Sequence, residues 1–93
     1  MLIDLIEKEL NAMIPVYYRV LEFVVKIYEY GDYRVVVESN DWYSLGQTVC
    51  YIPKQKGFGH FMVWLKANKT EFVNSLLRAL IDADKSKLKE KIK

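Results

Sequence analysis

Residues 2–31 read LIDLIEKELNAMIPVYYRVLEFVVKIYEYG, and the spacing of their polar positions decides the fold. Asp4, Glu7 with Lys8, Asn11, Pro15, Arg19, Glu22, Lys26 and Glu29 follow one another at gaps of three and four, and almost everything between them is apolar. That spacing matches the 3.6-residue period and predicts one long amphipathic helix, or two sharing an axis, from Leu2 to Tyr30. Strand alternation from Val16 to Tyr30 would put Glu22 and Lys26 on one face and Arg19 and Glu29 on the other, which leaves neither face fit for a core. The helical reading therefore expects Arg19, Glu22, Lys26 and Glu29 in solvent, and Val20, Phe23, Val24 and Ile27 buried. Pro15 falls on the polar stripe, where its missing N–H and its ring predict a kink near Met13 or the start of a second helix. Gly31 is placed to end the helix and Asp32 to begin a turn into a strand.

The chain downstream switches period. Tyr33 to Ser39 is a β-branched run that reads as a strand, and Asn40 to Gln47 is a polar and aromatic connection. Thr48 to Ile52 reads as a second strand, Pro53 to Gly57 as a turn, and Phe58 to Lys66 as a third strand. In that hairpin Ile52 is expected opposite Gly59, Tyr51 opposite His60 and Cys50 opposite Phe61. Asn68-Lys69-Thr70-Glu71 has capping-box spacing and predicts a helix carrying Phe72, Val73, Leu76, Leu77, Leu80 and Ile81. Asp82-Ala83-Asp84 is expected to interrupt it, because Asp84 falls where the next apolar residue belongs. The expected fold is thus α+β: a long, Pro-kinked N-terminal helix, a three-stranded antiparallel sheet and a C-terminal helix, in one domain over 1–93 with 84–93 as a basic helical extension.

Composition agrees with a folded domain: of 93 residues, 52% are apolar and 14% aromatic, with only 4 Gly and 2 Pro. One cysteine, Cys50, permits no internal disulfide and is expected as a free thiol. Met13 to Tyr30 has the length of a short membrane span, but Arg19, Glu22, Lys26 and Glu29 would each cost about 2.5–3.5 kcal/mol at the bilayer centre. No membrane partner is expected. The first residues lack a basic region and a small-residue cleavage site, so the expected location is cytoplasmic. Net charge is +2, divided as −4 over residues 1–47 (four basic, eight acidic) and +6 over 48–93 (ten basic, four acidic). Lys85, Lys87, Lys89, Lys91 and Lys93 supply half of the basic residues in the second part, where they suit a helix C-terminus.

Alternation assigns Tyr33, Val35, Val37, Cys50, Ile52, Phe61, Val63 and Leu65 to a core face, and Arg34, Val36, Glu38, Val49, Tyr51, Phe58, His60, Met62, Trp64 and Lys66 to the other. The second set is aromatic without being purely apolar. It suits a protein interface, a stacking platform for nucleotides, or a layer under another helix. Trp42 and Tyr43, in the connection, are further candidates for a partner contact. His60 is the only histidine and has no second ligand or base at a useful spacing, so no metal, cofactor or catalytic site is expected. Lys54 and Lys56 with Gly57 and Gly59 lack the strand-to-helix context of a phosphate loop, and Asp82 and Asp84 lack the glycine and glutamate of a calcium loop.

The order helix, three strands, helix is that of the double-stranded RNA-binding domain, but Lys66 and Lys69 are followed by Thr70-Glu71 instead of a basic cluster, which excludes it. The composition, with 7 Tyr, many Val, Ile, Lys and Glu and two Gln, resembles that of small proteins of thermophilic archaea and their viruses. The expected function is a non-enzymatic protein-binding module of the small regulatory or inhibitor kind, contacting an unidentified protein through Trp64, Tyr51, Phe58, His60, Met62, Trp42 and Tyr43. Self-association follows from length. A helix of about 29 residues measures roughly 43 Å against about 20 Å for six-residue strands, so a second copy is expected on the surplus apolar face, near Leu5 and Tyr17. The alternative is a nucleic-acid-binding protein using Lys54, Lys56, Arg34, Lys66 and Lys69 on phosphates.

Overall fold

Pro15 stops the first helix. α1 (Leu2–Asn11) buries Ile6 and Leu10 and ends in a tightened turn through Met13 and Ile14, after which Pro15 is extended at φ −58°, ψ 150° and caps the five-residue α2 (Val16–Val20). Arg19 on α2 reaches back across this break. Its Nε donates to the Ile14 carbonyl at 2.6 Å and its Nη2 to the Ala12 carbonyl at 3.4 Å, so carbonyls left over beyond α1 gain a cationic partner. The computed structural model, which describes residues 1–39 and 46–92 with side chains through Lys85, continues with β1 (Phe23–Tyr30), β2 (Asp32–Ser39), β3 (Gln47–Ile52) and α3 (Phe58–Ile92). The expected arrangement of an N-terminal helix, a three-stranded antiparallel sheet and a C-terminal helix is the one found.

Two segments fill that arrangement differently from the sequence reading. Residues 23–30 are a strand, not the end of a long helix. Glu22, at φ 66°, turns the chain out of α2, and alternation then starts afresh at Phe23. Arg19 and Glu22 therefore never enter the strand, and Glu29 lies at its far end, where Lys54 pairs with it at 3.6 Å. The objection to a strand disappears with them. Phe23, Val25 and Ile27 point into the core, while Val20 stays 74% exposed and Val24 half-buried. The helix of roughly 43 Å that would outrun a sheet is not formed, and the length argument for a second copy on its surplus face goes with it, although Leu5 and Tyr17 remain exposed.

The second difference is Phe58 to Lys66, which opens α3 instead of making a third strand; the hairpin register with β3 is accordingly absent. Phe61, Leu65, Phe72, Leu76, Ala79, Leu80 and Ala83 are buried at helical spacing along one stripe, and this continuous stripe outweighs the short alternation of Phe61, Val63 and Leu65. Asn68 is an interior helical residue whose Nδ2 donates to the Trp64 carbonyl at 2.8 Å, and the helix passes through Asp82-Ala83-Asp84 without interruption because Ala83 supplies the buried position there.

The strands lie in the order β1-β2-β3. β1 and β2 pair from Phe23↔Ser39 to Tyr30↔Asp32, joined by Gly31 alone at φ 78°, a conformation open to glycine at little cost. β2 and β3 pair Tyr33↔Ile52, Arg34↔Tyr51 and Val35↔Cys50, then shift at Val36↔Thr48. That bulge leaves Val49 over and turns it to pack against the core, opposite to its expected side. Helices α1 and α3 cover one face of the sheet, where Val25, Ile27, Tyr33, Val35, Val37 and Ile52 meet Ile6, Leu10, Phe61, Leu65 and Leu76.

The edge of β1 is held by α1. The Asn11 side chain accepts from the Val25 N–H at 2.8 Å and donates to the Val25 carbonyl at 3.1 Å, and Glu7 Oε2 accepts from the Ile27 N–H at 2.7 Å. Asn11→Ala removes the partner of two half-buried backbone groups and is expected to lower unfolding stability by about 1–3 kcal/mol in urea titration. Glu22→Gly relieves a left-handed non-glycine backbone and is expected to raise stability by about 1 kcal/mol in the same assay.

Candidate protein-binding surface

Alternation in a strand sends every second side chain away from the helices, so the far face of the sheet is built by Val24, Lys26, Tyr28 and Tyr30 of β1, Asp32, Arg34, Val36 and Glu38 of β2, and Thr48 and Tyr51 of β3. The pairings place Tyr28, Arg34 and Tyr51 side by side in one row across all three strands. Tyr28 is 38% exposed, Tyr51 62% and Tyr30, beside the row, 78%. Two of the three members of the row are held. The Tyr28 hydroxyl donates to Glu38 Oε2 at 2.8 Å, and that bond, with partial burial behind it, raises the phenol above its ordinary pKa. Arg34 donates from Nε and Nη2 to Thr48 Oγ1 at 3.1 and 2.8 Å.

At the centre of this face Val36 is only 4% exposed. Gly46 approaches it so closely that a Cβ at 46 would stand 3.0 Å from Val36 Cγ1. The face therefore presents an aromatic and guanidinium row beside a Val36 that Gly46 helps to cover, and balanced charge, Lys26 and Arg34 standing against Asp32 and Glu38.

Tyr51, expected to bind a protein, and Arg34, expected to bind phosphate in the nucleic-acid alternative, are direct neighbours on this face. The aromatic sheet face that Trp64, Phe58, His60 and Met62 were expected to form with them does not exist, because all four lie on α3. Trp64 and Phe58 are half-buried around Phe61, with ring centroids 6.3 and 6.0 Å from it, and Trp64 also meets Phe72 edge-on at 6.4 Å. His60 is exposed on the first turn of α3. Met62 lines a groove of about 440 Å³ between α1 and α3 with Glu9, Met13, Val63, Leu65, Lys66 and Lys69. Lys54 pairs with Glu29 and Lys56 is exposed ahead of α3, so the basic residues proposed for phosphate are spread over several surfaces. Trp42 and Tyr43 lie outside the described residues. Tyr28 and Tyr30, which the helical reading concealed, are the additions, and their alternation with Ile27 and Val25 is the signal that marks them.

Beside β3 a second groove, of about 280 Å³, is lined by Cys50 and Tyr51 of the strand and by Trp64, Asn68, Glu71, Phe72 and Ser75 of α3. Among the described residues no three His, Cys, Asp or Glu side chains gather to hold a metal ion, and no helix is long and apolar enough to cross a membrane. No protein-family model, curated protein or solved structure matches the chain.

Burial pushes the Cys50 thiol up to about 11 from an ordinary 9.0. Thiolate, the reactive form, is then about a hundredfold scarcer below pH 9 than at a free cysteine. Alkylation of the native protein at pH 8 is expected to be slower by at least that factor than in urea, as followed by mass spectrometry.

Proposed function

We propose that this chain is a non-enzymatic protein-binding module that acts as a homodimer and takes a second protein on the face of its sheet turned away from α1 and α3, in the manner of a small regulatory or inhibitory subunit. The observation that carries this reading is the row Tyr28, Arg34, Tyr51 beside the buried Val36. Tyrosine and arginine are the residue types that dominate binding energy at protein interfaces, whereas lysine and glutamate are depleted there. Hydrogen bonds to Glu38 and Thr48 hold Tyr28 and Arg34 before any partner arrives, which lowers the ordering cost of binding. The balanced charge of the face supports a protein partner over a polyphosphate one, since phosphate binding draws on an excess of cations on one surface.

The immobilised protein, offered a lysate of its source cell with and without nuclease treatment at about 50 and 500 mM salt, tests this. A protein that is retained at both salt concentrations, and lost when Arg34→Ala and Tyr51→Ala are combined, is the expected result. Retention that disappears with nuclease or with salt, and that falls when Lys54, Lys56, Lys66 and Lys69 are changed together to Gln, overturns it in favour of nucleic acid.

A further inference from the structure

The two edges of the sheet are treated differently. Asn11 bonds both the N–H and the C=O of Val25, and Glu7 bonds the N–H of Ile27, so these residues turn their backbone groups away from β2. In an antiparallel ladder the direction alternates along each strand. Lys26 and Tyr28 therefore bond to Val36 and Arg34, Tyr33 and Val35 turn toward Ile52 and Cys50, and Tyr51 between these two turns its N–H and C=O outward at the far edge. Among the described residues, no backbone or side-chain group outside the sheet bonds to the backbone of Gln47–Ile52.

Proteins protect such an edge with a charge, a proline or a covering element. β3, Gln-Thr-Val-Cys-Tyr-Ile, has neither a charged residue nor a proline. Beside it lies the groove of about 280 Å³ walled by Trp64, Asn68, Glu71, Phe72 and Ser75, which leaves room for the side chains of an added strand.

We infer that β3 is the dimer contact: a second copy adds its own β3 antiparallel to the first across a twofold axis, and the two sheets become one of six strands. This deepens the homodimer reading above and rests on it. A strand without charges meets its own copy with no like charges opposed, and an edge of outward N–H and C=O groups is complementary to itself under a twofold. Because α1 already occupies the edge of β1, each copy has one edge to offer, and association closes at two chains instead of extending into a fibre. The union also places the two Tyr28–Arg34–Tyr51 rows end to end on one continuous face.

The test measures mass by sedimentation equilibrium over a hundredfold concentration range, together with amide exchange at Tyr51. Wild type is expected to move from 11.0 kDa toward twice that value, with the Tyr51 amide exchanging at least tenfold more slowly in the dimer. Tyr51→Pro, which removes the outward N–H, and Tyr51→Glu, which sets like charges near the axis, are both expected to stay at 11.0 kDa with unchanged circular dichroism. If either variant unfolds, the exchange of the wild-type Tyr51 amide decides alone. A dimer that both folded variants leave intact, with exchange at Tyr51 independent of concentration, puts the contact elsewhere: it overturns this inference and leaves the homodimer reading standing. A wild type at 11.0 kDa throughout overturns both, and a mass rising past two chains overturns the closed pair.

Discussion

The bond between Asn11 and Val25 is the constraint on which the rest of the molecule depends. A carboxamide sets an N–H donor beside a carbonyl acceptor, as a strand edge does, so at the end of α1 it imitates the strand that would otherwise pair with β1, while its second N–H donates to the Glu7 carbonyl. With Glu7, which accepts from the Ile27 N–H, this side chain joins the N-terminal helix to the sheet and fixes how far α1 slides along it, while Ile6 and Leu10 enter the same core cluster as Val25 and Ile27. It also finishes the sheet on that side. An edge strand of eight residues with Val24, Val25, Ile27 and Tyr28 in it would be an aggregation hazard if left bare.

Much of this architecture can be read from local pattern. The β-branched run of β2 and the break at Pro15 follow from backbone chemistry within a few residues, and the order of helix, sheet and helix is legible with them, whereas Gly31, read as the end of a helix, is the one-residue turn of a hairpin. β1 is not legible in this way. Its charges at Lys26 and Glu29, preceded by Glu22, fit a helical stripe as well as they fit the outer face and the end of a strand. The choice is made by contacts distant in sequence, the clamp from Asn11 and the ladder with β2, and by a left-handed residue at Glu22 whose type does not announce it.

Phe58 to Lys66 was ambiguous for the converse reason. Nine residues with aromatic and β-branched side chains and a glycine at 59 alternate well enough for a strand, and the helical stripe becomes plain only when Phe61 and Leu65 are aligned with Phe72, Leu76 and Leu80 beyond the polar break at Asn68. The candidate surface inherits both outcomes. Arg34 and Tyr51 were legible on one sheet face because the alternation of β2 and β3 holds there. Tyr28 and Tyr30 were hidden inside a supposed helix, and the aromatics of α3 were lent to a strand that does not form.

The turn at Gly31 has a consequence for how the chain reaches this state. β1 and β2 form a ladder from Phe23↔Ser39 to Tyr30↔Asp32 around one residue, so every pair nearest the turn closes a loop of almost no length. Closing so short a loop costs little chain entropy, and hairpins of this kind form in microseconds. The clamp from Asn11 to Val25 spans fourteen residues through a proline and a left-handed turn, and α3 must return from beyond β3 to cover the same strands. Of the pairings that build the sheet, those of this hairpin thus carry the smallest closure cost. A hairpin alone has two bare edges, and in the folded chain one of them, β1, is taken by α1.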